Sequence, residues 1–179
     1  MTRARGEGPV RIANCSGFFG DRLAAAREML EGGPIDYLTG DYLAELTMLI
    51  LWKARAKDPT AGFASTFLRQ MEGVLGLAVE RGVRIVVNAG GLNPAGLADR
   101  LRALAGKLGV AAKVAHVEGD DLLPKLGEMQ ASGVALAHLE TGRTLAEAGV
   151  SPVTANAYLG AWGIVAALES DADVVVCPR

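Results

Sequence analysis

Aromatic residues are scarce in this chain, 5% of 179, and cysteine occurs only twice. Charge is thin as well: 21% of residues are charged, the formal net charge is −2, and Lys and Arg form no run. A slightly acidic balance, with a pI of about 5.7, argues against nucleic acid or an anionic membrane surface as partner. Cys15 and Cys177 match no metal or redox spacing, so two reduced, buried thiols in a cytoplasmic protein are expected. No apolar h-region follows Arg3 and Arg5 in the stretch Met1 to Pro9, so no signal peptide is expected. The most apolar run, Leu43 to Trp52, is interrupted by Glu45 and Thr47 and bounded by Lys53, which makes it too short to span a bilayer.

What the chain does have is apolar bulk and glycine. Half of its residues are hydrophobic, enough for a sizeable core and incompatible with global disorder. Its 23 glycines greatly exceed the usual share of about 7% and follow no Gly-X-Y period. Tight turns and close backbone approaches are the remaining explanation. No repeat, low-complexity tract or linker divides the chain, so residues 1–179 are expected to form one domain.

Short β-branched runs alternate with helical patterns throughout. Strands are expected at Val10 to Cys15, Ile35 to Thr39, Val83 to Asn88, Ala112 to Val117 and Asp173 to Cys177, with a further one at Val134 to Leu139. Between them, apolar stripes mark helices: Leu23, Ala26 and Leu30; Phe67, Met71, Val74, Leu75 and Ala78; Leu97, Leu101, Leu104 and Leu108. Leu43 to Ala54 is apolar all round and reads as a helix buried on several sides. Asn93-Pro94 reads as an N-cap followed by proline at the first helical position, and Asp21, Asp41 and Asn156 are also suited to capping. This alternation predicts an α/β fold: a mostly parallel sheet of five or six strands with helices on both faces, Rossmann-like but without a dinucleotide fingerprint. Two helices between Gly40 and Gly82 make that connection longer than a simple βαβ unit.

In such sheets ligands bind beyond the carboxyl ends of the strands, and polar residues and glycines gather there in this sequence. Asn88, Gly90, Gly91 and Asn93 lie on a strand-turn-helix segment suited to a phosphate or carboxylate, or to a turn that simply needs small residues. The segment lacks G-x-G-x-x-G spacing, and Leu97-Ala98 follows Gly96 where a Walker motif needs Lys and Ser or Thr. Glu118, Asp120 and Asp121 crowd one strand end and could transfer protons or hold a divalent cation, with one Asp capping the helix near Leu122. Asn14, Ser16 and Gly17 form a further group, as do Thr39, Gly40 and Asp41, and Asn156, Tyr158 and Gly160. His116 alternates with Val114 inside a strand and reads as a satisfied core histidine; His138 has no metal-spaced partner.

Five of these segments together resemble the acyclic terpene utilisation A family, a domain of unknown function. They are Asn14 to Arg22, Leu38 to Glu45, Asn88 to Gly96, Val117 to Asp121, and Thr154 to Gly163. The resemblance covers nearly the whole chain in order. It implies a soluble enzyme or enzyme subunit in the catabolism of branched-chain, terpenoid acyl-CoA or hydroxy acids, and it supplies no catalytic residues. Family members are considerably longer, and Cys177-Pro178-Arg179 stands where the resemblance leads one to expect a Thr-Gly-Arg turn, so the chain is read as the N-terminal part of a longer domain.

Three functions are weighed on this basis. The first is a lyase or hydratase acting on a coenzyme A thioester. In it Glu118, Asp120 and Asp41 handle protons, the turn Asn88, Gly90, Gly91, Asn93 binds an anionic group, and Asn14, Ser16, Gly17, Asp121, Asn156 and Tyr158 hold substrate. The second is a non-catalytic binding or scaffold subunit, as a homo-oligomer or with a partner subunit. The third is a nucleotide-binding protein built on the Gly90-Gly91 turn.

Overall fold

A computed structural model describes residues 8–179, so the reading of the stretch Met1 to Pro9 falls almost wholly outside the described residues. Five parallel strands, β1 (Ile12–Asn14), β2 (Tyr37–Gly40), β3 (Arg84–Val87), β4 (Val114–His116) and β5 (Val174–Val176), form one sheet in the order β1-β2-β3-β5-β4. Ala13, Leu38, Ile85, Val174 and Val114 stand in one register row, and Asn14, Thr39, Val86, Val175 and Ala115 in the next. Adjacent rows point to opposite faces. The helices are α1 (Ala25–Glu31), α2 (Glu45–Lys57), α3 (Ser65–Glu80), α4 (Pro94–Leu108), α5 (Leu126–Ala131), α6 (Leu145–Ala148) and α7 (Trp162–Glu169).

Strand order explains where the helices lie. The chain moves one way from β1 through β3 to β4, then doubles back to place β5 between β3 and β4. With right-handed crossovers the forward connections put their helices on one face and the backward one uses the other. Accordingly α1 packs on α3 and α3 on α4, and their stripes Ala26 and Leu30, Phe67, Met71 and Leu75, and Leu97 and Leu101 meet Leu38, Ile85, Val87 and Val174 in the main core. Among the described residues, α7 is the one helix that covers the second face. It buries Val175, which lies outside the main core, and Arg84 reaches from this face to the Leu168 carbonyl at 3.2 Å and to Asp171. The sheet thus carries helices on both faces, but unequally. Over β1 none of the described residues covers the second face, and Ile12 is 64% exposed.

α2 belongs to neither layer. It lies across the carboxyl edge: Glu45 pairs with Arg179 beyond β5, Leu51 sits against Gly91 beyond β3, and Arg55 donates to the Leu92 carbonyl at 2.8 Å. The expectation of a helix buried on several sides is corrected here. Thr47, Met48 and Leu51 are buried, while Leu46 (69% exposed), Leu49 and Ile50 form an outward stripe, because none of the described residues packs above the edge.

Other readings shift too. Val134 to Leu139 is no strand; no sheet partner lies beside it, and Gly133 and Leu136 take positive φ values of 89° and 47°. Asp21 does not cap α1, whose N-cap is Ala24; its carboxylate takes the amides of Gly17 and Arg22, which hold it below the usual carboxylate range. Asn93 does cap α4, accepting from the Gly96 amide at 2.9 Å with Pro94 behind it. Cys15 is buried, Cys177 half-buried, and both are free thiols; burial pushes Cys177 up to about 11. Among the described residues no helix is long and apolar enough to cross a membrane.

Candidate functional site

Strand ends bring the polar residues together at the carboxyl edge, on either side of β5, where strand order reverses. After β2, Asp41 does not cap α2: the N-cap is Ala44, without a side-chain bond. Its Oδ1 instead accepts from Asn88 Nδ2 at 2.7 Å and the Leu43 amide at 3.2 Å. Asn88, at the end of β3, uses its Oδ1 to take the Tyr42 amide at 2.8 Å. Asp41 and Asn88 therefore interlock across neighbouring strands, with Asp41 exposed to solvent.

Tyr42 anchors this corner from below. Its ring lies so close over Gly40 that a Cβ there would sit 2.6 Å from Cε2. Its hydroxyl bonds Gln70, and it meets Phe67 edge-on with ring centroids 5.7 Å apart. Asn14 and Thr39 share a hydrogen bond of 3.3 Å at the ends of β1 and β2. Ser16 is buried and donates to the Phe18 carbonyl, while Gly17 donates its amide to Asp21. These β1 residues therefore close their own loop.

The main cluster lies on the other side of β5. The Asp120 carboxylate is buried and accepts from Asn156 Nδ2 at 2.7 Å, and its backbone carbonyl accepts from the Ala157 amide at 2.8 Å. Burial raises its pKa, while the Asn156 hydrogen bond and nearby backbone amides, that of Arg179 included, oppose the rise. Asn156 caps no helix; it pairs with Asp121 in an isolated antiparallel bridge, which fixes the segment bearing Tyr158. Arg179 then closes the cluster. Its guanidinium donates to the Tyr158 hydroxyl at 2.9 Å, to Glu45 at 2.7 Å, and stacks 5.5 Å from the Tyr158 ring centroid. Arg179 and Glu45 were not singled out in the sequence. A lone arginine at a strand end and a glutamate in the first turn of a helix give little local signal.

The acidic run splits three ways, which its sequence spacing conceals. Asp120 turns inward, Asp121 takes the Leu123 amide at 3.0 Å at the start of a short 3-10 turn, and Glu118 turns outward to His116 at 3.1 Å. Glu118 is thus placed on the exposed rim of β4, away from the cluster, and His116 is satisfied by that pair rather than by a core. Among the described residues no three His, Cys, Asp or Glu side chains converge as metal ligands.

The glycine turn is built for packing. The amide of Gly90 donates to the Cys177 carbonyl, that of Leu92 to Gly62, that of Asn93 to Gly90, and that of Gly96 to the Asn93 side chain. A Cβ on Gly90 would lie 2.5 Å from the Cys177 carbonyl oxygen, and Gly91 has φ of 52°. With these donors engaged, the turn offers no row of amides to an anion.

Beside the polar cluster lies a cleft of about 250 Å³. Trp52, Arg55 and Ala56 of α2 form one wall, and Leu92, Asp121, Leu123, Val153 and Thr154 the rest. Glu45, Met48, Trp52 and Arg55 recur at helical spacing, so one side of α2 spans both Arg179 and the cleft.

An open parallel α/β sheet with a polar cluster and an apolar cleft at its carboxyl edge defines the class, a Rossmann-like protein without a dinucleotide loop. Residues 10–179 match the family model described as acyclic terpene utilisation family protein AtuA, and the chain belongs to that family. No curated protein matches the chain, and no solved structure does.

Proposed function

We propose that the chain is an enzyme, or the substrate-binding part of one, in the breakdown of branched-chain terpenoid acyl-CoA thioesters or hydroxy acids, adding or removing water as a hydratase or lyase. The juxtaposition of the Asp120–Asn156–Tyr158–Arg179 cluster with the apolar cleft carries this reading. A branched acyl chain suits the Trp52, Leu92, Leu123 and Val153 lining, and a carboxylate or thioester oxygen suits Arg179. Asp120, with its pKa raised, is suited to moving a proton at the carbon beside the carbonyl, and Asn156 holds its carboxylate in place. Asp41, held by Asn88, is the second proton-handling group.

The test is turnover of branched and straight 2-enoyl-CoA and 3-hydroxyacyl-CoA esters, followed by separation of the esters. Asp120→Asn is expected to lower kcat about 100-fold or more, and Arg179→Gln to raise KM about tenfold. Glu118→Gln, on the outer rim, leaves both unchanged. Unimpaired Asp120→Asn alongside an inactive Glu118→Gln would overturn the assignment. Absence of turnover on every ester would favour a second reading, a non-catalytic binding subunit, which draws on the apolar surface exposed between Asp121 and Asp171.

A further inference from the structure

The connection from β4 to β5 is unusual in what it leaves uncovered. From Asp121 to Asp171 no residue is buried, and α7, an apolar helix, touches the sheet on one side only. Trp162 (84% exposed), Val165, Ala166 and Glu169 recur at helical spacing along its outer side. From Val150 to Leu168 there is no charged residue, so two copies of this surface meet without like-charge repulsion.

Two further features of α7 set an orientation. Its N-cap, Ala161, provides no side-chain acceptor, and its last turn carries no basic residue while Glu169 stands at the negative end of the helix. Among the described residues neither the Trp162 indole nor the Glu169 carboxylate has a hydrogen-bonding partner. Both defects are corrected by one arrangement. If a two-fold axis passes between Val165 and Ala166, position 162 faces position 169 of the other copy, and 165 faces 166. Each Glu169 then reaches a Trp162 indole N–H and an uncapped helix N-terminus, with the two helix dipoles antiparallel.

We infer that α7 is a homodimer contact, two copies of the chain packing their α7 helices antiparallel through Trp162, Val165, Ala166 and Glu169. Tyr158 and Leu159, also exposed, border this contact and extend it toward the carboxyl edge. A single helix pair with its flanks falls short of the roughly 800 Å² per partner of a standard interface. The dimer is therefore weak and concentration-dependent, and either large outward substitutions or a charge on the axis disrupts it.

Sedimentation equilibrium of the purified chain between about 1 and 300 µM tests this. The expected result is a reversible shift from 18.6 kDa toward twice that mass. Trp162→Ala is expected to raise the dimer Kd about 30-fold and Val165→Asp to abolish dimerisation. Glu169→Lys weakens it more than Glu169→Gln, because the lysine meets the partner's helix N-terminus. These side chains are exposed, so thermal melting at low concentration verifies that the variants fold. A strict monomer across the range would overturn the proposal. So would a dimer indifferent to all α7 variants, and so would one broken only by Leu46→Asp and Ile50→Asp on α2.

Discussion

The two faces of the sheet are made from strands of one composition, yet one is sealed and the other is half open. On the sealed face α1, α3 and α4 press side by side and bury Phe67, Met71, Leu75, Leu97 and Leu101 completely. On the other face one short helix reaches β5, and the long connection that carries it has no buried residue of its own between Asp121 and Asp171. The difference follows from strand order. Three forward crossovers crowd one face, and a single backward crossover must serve the other. Stability therefore resides on one side, while the surfaces free to meet a substrate or another chain lie on the other side and along the carboxyl edge.

Substitutions measure this contrast directly. Phe67→Ala removes a ring that is wholly buried and packed edge-on against Tyr42, and should cost about 3–5 kcal/mol in urea unfolding. Trp162→Ala, measured as monomer, should cost less than about 0.5 kcal/mol. Equal losses at the two positions would erase the distinction between the faces. Gly90→Ala should be intermediate, at about 2–3 kcal/mol, because its Cβ would meet the Cys177 carbonyl and Pro94. Hydrogen exchange should show the same asymmetry, with amides of α5, α6 and α7 opening locally and those of β3 and β5 only on global unfolding.

The smallest effect is in pH. The Lys113 hydrogen bond, with Lys113 and Arg84 as neighbouring charges, holds Asp171 below the usual carboxylate range and ties α7 to the sheet. Because its folded pKa is lowered, the stability it contributes is present at neutral pH and lost as pH falls through the ordinary range toward the folded value. Asp120 has the opposite sign: its raised pKa means that ionisation as pH rises through the ordinary range costs stability. Melting temperatures between about pH 3 and 7 should thus fall on acidification. Asp171→Asn should shallow that fall. Asp120→Asn, compared with the parent, should look better at neutral than at acid pH.

Much of the fold was legible in local pattern. The stripes of α3 and α4, the Asn93 cap and the apolar cores of β3 and β5 follow from spacing alone, because the forces that fix them act within a few residues. The exposed face of α2 was not legible: an apolar helix that caps a sheet edge has the same composition as one buried all round. Of the candidate residues, Asp41 with Asn88, and Asp120 with Asn156 and Tyr158, do come together. Glu118, Asp120 and Asp121, close in sequence, diverge because β4 ends at His116 and the chain turns at Gly119, whose φ is 109°. Arg179 and Glu45 meet only through the tertiary fold, across a separation that no motif spans.

The position of β5 also bears on how the protein is made. It follows β4 in the chain but fills the slot between β3 and β4, so a ribosome presents both walls of that slot before the strand that fills it exists. Until Val174 to Val176 emerge, β3 and β4 flank a gap lined with apolar side chains and unpaired backbone groups, the kind of surface that stray strands occupy. Arg179 arrives only three residues later, so the cluster at the carboxyl edge cannot form before the strand that fills the gap has been made. Completion of the site thus follows directly on synthesis of the strand that seals the sheet.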